Sequence, residues 1–174
     1  MTDPATIHEK PASTPHRRWV RWAAIAGIAF VAIQLVPYGR DHANPPVSAE
    51  PPWTSPEVRS LAARACFDCH SNETKWPWYS NVAPVSWLVT YDTLEGRRKL
   101  NFSEWDRAQR EADEAGEAIR EGEMPLPIYL PAHPEARLTD AEERVLADGL
   151  DATLGVASVG RGEQPDDDVE GEAH

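Results

Sequence analysis

Five consecutive residues hold the most specific chemistry in the chain. Cys66-Phe67-Asp68-Cys69-His70 is a Cys-x-x-Cys-His run, the attachment signature of a c-type haem. The spacing has a physical reason. Two cysteines three positions apart lie on one side of a helical turn, so both sulfurs can bond the two vinyl-derived carbons of one porphyrin. The adjacent imidazole then swings over the iron. These are the only two cysteines in the chain, which excludes a disulfide-rich scaffold and a zinc site built from four cysteines. A redox dithiol and half of a zinc site share the Cys-x-x-Cys spacing. The immediate histidine and the absence of a second cysteine pair favour haem.

An electron-carrying haem iron takes a sixth ligand, and Met124 is the candidate. It stands in Gly122-Glu123-Met124-Pro125, and Met1 is the only other methionine. A neutral thioether favours ferrous iron and raises the reduction potential, and Pro125 stiffens the loop. The plainer reading of Met124 is core packing. His133 is the rival ligand but reads as an exposed loop histidine. His42 reads as solvated, and His8, His16 and His174 lie in tails. Trp76, Trp78, Tyr79 and Trp87 fall within twelve residues; they read as a wall packed on the haem or as an ordinary aromatic core patch. Arg97-Arg98-Lys99 reads as a solvated helix end suited to the helix dipole, with pairing to haem propionates as the alternative. Asn72-Glu73-Thr74 and Asn101-Phe102-Ser103 match glycosylation triplets, a pattern common by chance.

The elements that must position these groups are helical. Ser55-Pro56-Glu57 is a helix start, and Val58, Leu61, Ala62 and Ala65 give that helix an inner face leading into Cys66. A Trp/Pro-rich loop follows over 71–83. A second helix is predicted over 84–99, with Val85, Leu88, Val89 and Leu94 at helical spacing. Ser103 is predicted to cap a third, with Trp105, Ala108, Ala112, Ala115 and Ile119 as its stripe and Gly122 at its end. Thr139 and Glu142 form the capping box of a fourth, with Val145, Leu146 and Leu150 facing inward. No strand pattern or repeat is evident.

Ahead of this domain, Arg17, Arg18 and Arg21 precede an apolar run over 22–36 that stops at Pro37. Residues 19–38 read as a transmembrane signal anchor with Trp19, Trp22 and Tyr38 at the interfaces. The basic flank places residues 1–18 in the cytoplasm as a disordered tail and the rest outside. A cleaved signal peptide has the same shape, but no small-x-small site follows closely. A buried core helix would not need the arginines. Residues 39–52 read as a Pro-rich linker, 53–154 as the haem domain, and 155–174 as a disordered acidic tail.

The blocks over 66–80, 83–88 and 101–105 (Cys-Phe-Asp-Cys-His-Ser-Asn-Glu-Thr-Lys-Trp-Pro-Trp-Tyr-Ser, Ala-Pro-Val-Ser-Trp-Leu, Asn-Phe-Ser-Glu-Trp) occur in order. With Gly122-x-Met124-Pro125 and the helix from Thr139, they resemble the bacterial haem-binding domain family of membrane-anchored c-type cytochromes. The resemblance covers about residues 53–150. It implies an all-α, cytochrome c-like domain around one covalent haem c per chain. Attachment would be through Cys66 and Cys69, with His70 and Met124 as the axial iron ligands.

The formal net charge is −12. Residues 1–40 hold 5 Lys/Arg against 2 Asp/Glu, and 41–174 hold 12 against 27. The acidic outer part makes a poor nucleic-acid binder and favours basic or neutral redox partner proteins. The expectation is a single-pass protein of the bacterial cytoplasmic membrane with its haem domain in the periplasm. It would carry single electrons rather than catalyse a reaction. The alternatives are a haem-based sensor or peroxidase-like enzyme with a labile sixth ligand, and a thiol-disulfide oxidoreductase. The latter would need a strand-helix framework that the sequence does not show.

Overall fold

The computed structural model describes residues 15–159. Among them the structure is all-α. Six α-helices are present: α1 (Pro15–Ile33), α2 (Pro56–Ala65), α3 (Phe67–His70), α4 (Val85–Lys99), α5 (Ala115–Arg120) and α6 (Asp140–Val159). Two 3-10 turns lie at Trp78–Asn81 and Pro134–Ala136. The only extended pairing among these residues is an isolated bridge between Ala49 and Glu104.

α2 forms as its signals require. The Ser55 hydroxyl accepts from the Val58 amide at 3.2 Å, and Val58, Leu61, Ala62 and Ala65 are its buried face. They pack on Leu146, Ala147 and Leu150 of α6 and on Ile119 of α5. The Thr139–Glu142 capping box is also present: the Thr139 amide donates to Glu142 Oε2 at 2.8 Å and the Glu142 amide to Thr139 Oγ1 at 3.3 Å. Val145, however, is 38 % exposed. Phe67, inside the cysteine motif, stacks on Phe102 at 5.7 Å, and Trp53 and Trp105 flank Phe102. The motif is thus set directly on the core.

Three segments differ from their sequence reading. The third helix, expected from Ser103, forms only over Ala115–Arg120. The reason is competition for the backbone. The Ser103 carbonyl accepts from the amides of Ser48 and Ala49, and the Trp105 amide donates to the Ala49 carbonyl. The Ser103 hydroxyl is taken by the Asn72 amide at 2.9 Å. The Ser103 carbonyl and the Trp105 amide are thus committed to the 48–49 segment rather than to an α-helical turn.

The expected Pro-rich linker, 39–52, is not a free stalk. His42 stacks on Trp76 at 4.6 Å and bonds the Ser80 carbonyl at 3.1 Å. Asn44 donates to the Thr74 carbonyl at 2.9 Å, and Asn72 donates to that of Pro46 at 3.0 Å. Arg97 fastens the segment from α4, reaching Ser71 O, Ala43 O, Asn44 Oδ1 and Thr74 Oγ1. That side chain is a structural tie rather than a solvated helix end.

α4 buries the opposite face from the one expected. Its buried residues are Ser86, Thr90, Thr93 and Gly96, whereas Val85, Leu88 and Leu94 are exposed. Small residues face inward because backbones approach closely there. A Cβ on Gly96 would lie 2.5 Å from the Cys69 carbonyl oxygen, and one on Gly39 (φ +78°) 2.7 Å from that of Ser86.

The amino-terminal helix covers part of the expected transmembrane span. α1 ends at Ile33, five residues short of Tyr38, and contains Arg17, Arg18 and Arg21 in its first two turns. No helix among the described residues is long and apolar enough to cross a membrane. The expected disordered tails fall mostly on residues 1–14 and 160–174, outside the described residues; residues 15–18 and 155–159 belong to α1 and α6.

Candidate functional site

The cysteine motif is a single helical turn inserted between α2 and a sharp exit. The Cys66 amide still closes α2 on the Ala62 carbonyl at 2.8 Å, and the His70 amide bonds back to Cys66 at 2.9 Å. The His70 carbonyl then accepts from the Phe102 amide at 2.8 Å. The motif is therefore pinned at both ends by backbone. Gly96 lets α4 lie directly against Cys69.

Cys66 and Cys69 are free thiols. Burial pushes the Cys66 thiol up to about 12, with a smaller contribution from Cys69. Burial and then the charges of Asp92 and Asp68 push Cys69 up to about 11. A dithiol that attacks disulfides needs a stabilised thiolate, so this environment opposes the oxidoreductase reading.

His70 Nδ1 donates to the Leu100 carbonyl at 3.1 Å. Since a carbonyl only accepts, the proton is on Nδ1 and the Nε2 lone pair is the one left for a metal. Burial holds its pKa below the ordinary histidine value, which keeps the ring neutral as a ligand must be.

Two adjoining cavities of about 170 Å³ each meet at the motif. Both are lined by Ala65, Cys66, His70, Lys99, Met124 and Pro125. Cys69, Gly96 and Tyr129 line one, and Leu100, Phe102 and Ile119 the other. Two thiols, an imidazole with a free nitrogen and a thioether thus face one largely apolar space. That donor set and that lining fit a haem.

Met124 reaches the space through a helix end. α5 terminates in a Schellman turn: the Gly122 amide bonds Ile119 O at 3.1 Å and the Glu123 amide bonds Ala118 O at 2.9 Å. Gly122 has φ +72°, a left-handed conformation that glycine adopts without cost. The chain reverses there, and Met124, bonded to Ala118 O at 3.1 Å, comes to the cavity wall, 36 % exposed.

The three tryptophans offered as haem packing line neither cavity. Trp76 stacks on His42. Trp78 is 79 % exposed. The Nε1 of Trp87 is buried without a partner among the described residues. His133 is not an exposed loop histidine but is 8 % exposed, with both nitrogens engaged. Nδ1 donates to Glu135 at 3.1 Å and Nε2 takes the Tyr79 hydroxyl at 2.5 Å, so neither is free for iron. Asn72 and Asn101 are buried and bonded to each other at 2.9 Å, which removes both as sugar acceptors in the folded chain.

The residues that sequence reasoning missed lie between the cysteines and on the far loop. Asp68 accepts the Tyr129 hydroxyl at 2.7 Å and the Lys75 amide at 2.9 Å. Tyr129 stacks on His133 at 3.9 Å. Burial and the Asp68 carboxylate push the Tyr129 phenol well above its ordinary value, so it stays a donor. Gly96 carried one signal: an isolated glycine inside a helical pattern usually has a packing reason.

No curated protein and no solved structure matches the sequence. A family model described as a haem-binding domain matches residues 28–152. That stretch starts inside α1 and ends inside α6. It takes in the 39–52 segment together with the cysteine turn, both cavities and Met124. With this match over most of its length, the chain belongs to the haem-binding domain family.

Proposed function

We propose that the chain is a c-type cytochrome carrying one haem, bonded through Cys66 and Cys69, ligated by His70 Nε2 and Met124, and passing single electrons. One observation carries this reading. His70, its Nδ1–H committed to Leu100, lines one space together with both free thiols and the single internal methionine.

When bound, the haem supplies an iron that changes charge by one unit. The polypeptide does the rest. His70 is held in one tautomer and one orientation by a backbone carbonyl, which fixes its donor atom in both oxidation states. Leu100, Phe102 and Ile119 give one side an apolar lining, with Glu111, Glu114 and Glu123 beside it. Met124, soft and neutral, would favour ferrous iron. Lys99 lines both cavities and is paired with Glu111 at 3.0 Å. The acidic surface steers basic partners at rates that fall with salt.

The arginine-flanked apolar helix supports attachment to a bacterial cytoplasmic membrane with the haem domain on its periplasmic face. An exported location also suits two cysteines awaiting thioether bonds. The test is the spectrum of the oxidised protein, expressed with a c-type maturation system. A sulfur-to-iron charge-transfer band is expected. Ready carbon monoxide binding by the reduced protein, with no such band, would instead support the sensor or peroxidase-like reading.

A further inference from the structure

The two longest uncharged stretches of this otherwise charge-rich chain are 22–39 and 76–91, and the fold fastens them together. The Gln34 side chain makes a reciprocal pair with the Ala83 backbone: Nε2 donates to the carbonyl at 2.9 Å and Oε1 accepts from the amide at 3.0 Å. Gln34 is the first residue after α1. Gly39, buried, lies against Ser86 in the first turn of α4. The exit of α1 and the start of α4 are thus one unit.

At that end the domain leaves apolar surface uncovered. Trp78 is 79 % exposed, and Val85, Leu88, Tyr91 and Leu94 form an exposed stripe along α4. Leu35, Val36 and Tyr38 continue it toward α1. No charged residue interrupts the sequence from Trp76 to Tyr91, a composition unlike that of an ordinary solvated helix face.

The length of α1 points to what covers this surface. Its uncharged part, Trp22–Ile33, is twelve residues, or about 18 Å of helix against a hydrocarbon core of about 30 Å. A short span is accommodated by local thinning of the bilayer and by flanking residues that reach the interface, which brings surface beside its exit close to the headgroups. The surface nearest its exit is this stripe, with Trp78, Tyr38 and Tyr91 as residues suited to the interface. Arg40, exposed, bonds the Gln34 carbonyl at the same clamp.

We infer that the haem domain does not stand off on a stalk but is seated on the bilayer, with Trp78 and the outer face of α4 in the lipid headgroup region. This rests on the membrane attachment proposed above. The occupant is the lipid that α1 enters, because the Gln34–Ala83 pair leaves no spacer between the two.

The test uses the full-length holoprotein in vesicles of phosphatidylethanolamine and phosphatidylglycerol in equal parts. A photo-crosslinking p-benzoylphenylalanine is placed singly at Ile28, Leu88 or Val145. Lipid adducts are expected at Ile28 and Leu88, and several-fold fewer at Val145, an exposed apolar site on α6. Gln34→Ala should reduce the Leu88 lipid adduct several-fold while leaving that at Ile28 unchanged. Adducts at Ile28 but no more at Leu88 than at Val145 would overturn the seating and leave the attachment standing. None at Ile28 would remove the attachment and the inference with it. A protein adduct at Leu88 in bacterial membranes, with no lipid adduct there, would assign the stripe to a protein partner and overturn it as well.

Discussion

The two sides of the haem cavity are built by different means. On the cysteine side, backbone groups do most of the holding: His70 O takes the Phe102 amide, Leu100 O takes the His70 Nδ1–H, and Gly96 rests on the Cys69 backbone. On the methionine side, the backbone turn through Gly122 sets Met124 on Ala118 O, and the loop beyond it is tied by side chains: Tyr129 to Asp68 and Tyr79 to His133. Backbone contacts survive most substitutions, whereas side-chain contacts are lost one residue at a time. Under the proposed function, the thioether bonds would form on the first wall, and Met124 would reach the iron from the second.

That contrast can be broken most severely at the motif. Cys66→Ala with Cys69→Ala should abolish covalent haem, and His70→Ala should give little stable holoprotein, both read as pigment per polypeptide on a denaturing gel. Next, Gly96→Val forces a side chain into the Cys69 carbonyl and should cost about 3 kcal/mol by overpacking. Its check is a denaturant melt of the purified protein beside wild type. On the opposite wall, Met124→Ala should keep haem bound while lowering its potential in a redox titration. An unchanged potential and spectrum would move the sixth ligand elsewhere. Tyr129→Phe removes one bond to a carboxylate and should cost about 1.5 kcal/mol, with haem content unchanged.

The smallest effect lies away from the cavity and serves as a control. The Glu142 carboxyl is lowered from 4.5 to about 2 by the Thr139 amide, then by Arg64 and the Thr139 hydroxyl. A depressed folded pKa gives stability that is present above 4.5 and lost as pH falls toward 2. Wild type should lose stability across that window relative to Glu142→Gln, in paired acid melts. The haem spectrum at neutral pH should be the same in both.

Legibility of the sequence followed the kind of physics involved. Where burial is driven by apolar side chains, the reading holds for α2, which buries Val58, Leu61, Ala62 and Ala65, and for Leu146 and Leu150 of α6, though not for Val145. Capping chemistry is legible at Ser55 and Thr139, which act locally, and not at Ser103, whose hydroxyl is taken by Asn72. The readings failed where backbone proximity decides the outcome. α4 turns Ser86, Thr90, Thr93 and Gly96 inward because a neighbouring chain comes too close for larger residues, and hydrophobic spacing cannot register that. The stretch from 103 has a helical stripe, but Ser103 and Trp105 give backbone groups to residues 48–49 and Arg110 and Glu111 give their amides to Lys99, long-range bonds that no local signal reports. The 39–52 segment looked free because prolines donate no amide bonds, yet the Pro46 carbonyl still accepts. At the site, residue types at fixed spacing single out Cys66, Cys69 and His70, and the fold gathers them on one cavity. Asp68 and Tyr129 had no such spacing, since they meet only after the loop folds back.

The most direct measurement is a pyridine haemochrome spectrum of the exported, matured protein after extraction with acidified acetone. Pigment that stays with the polypeptide, with the spectrum of a haem whose two vinyl groups are both saturated, is the expected result. Pigment that leaves with the solvent, or a folded protein that carries none, would contradict thioether attachment at Cys66 and Cys69.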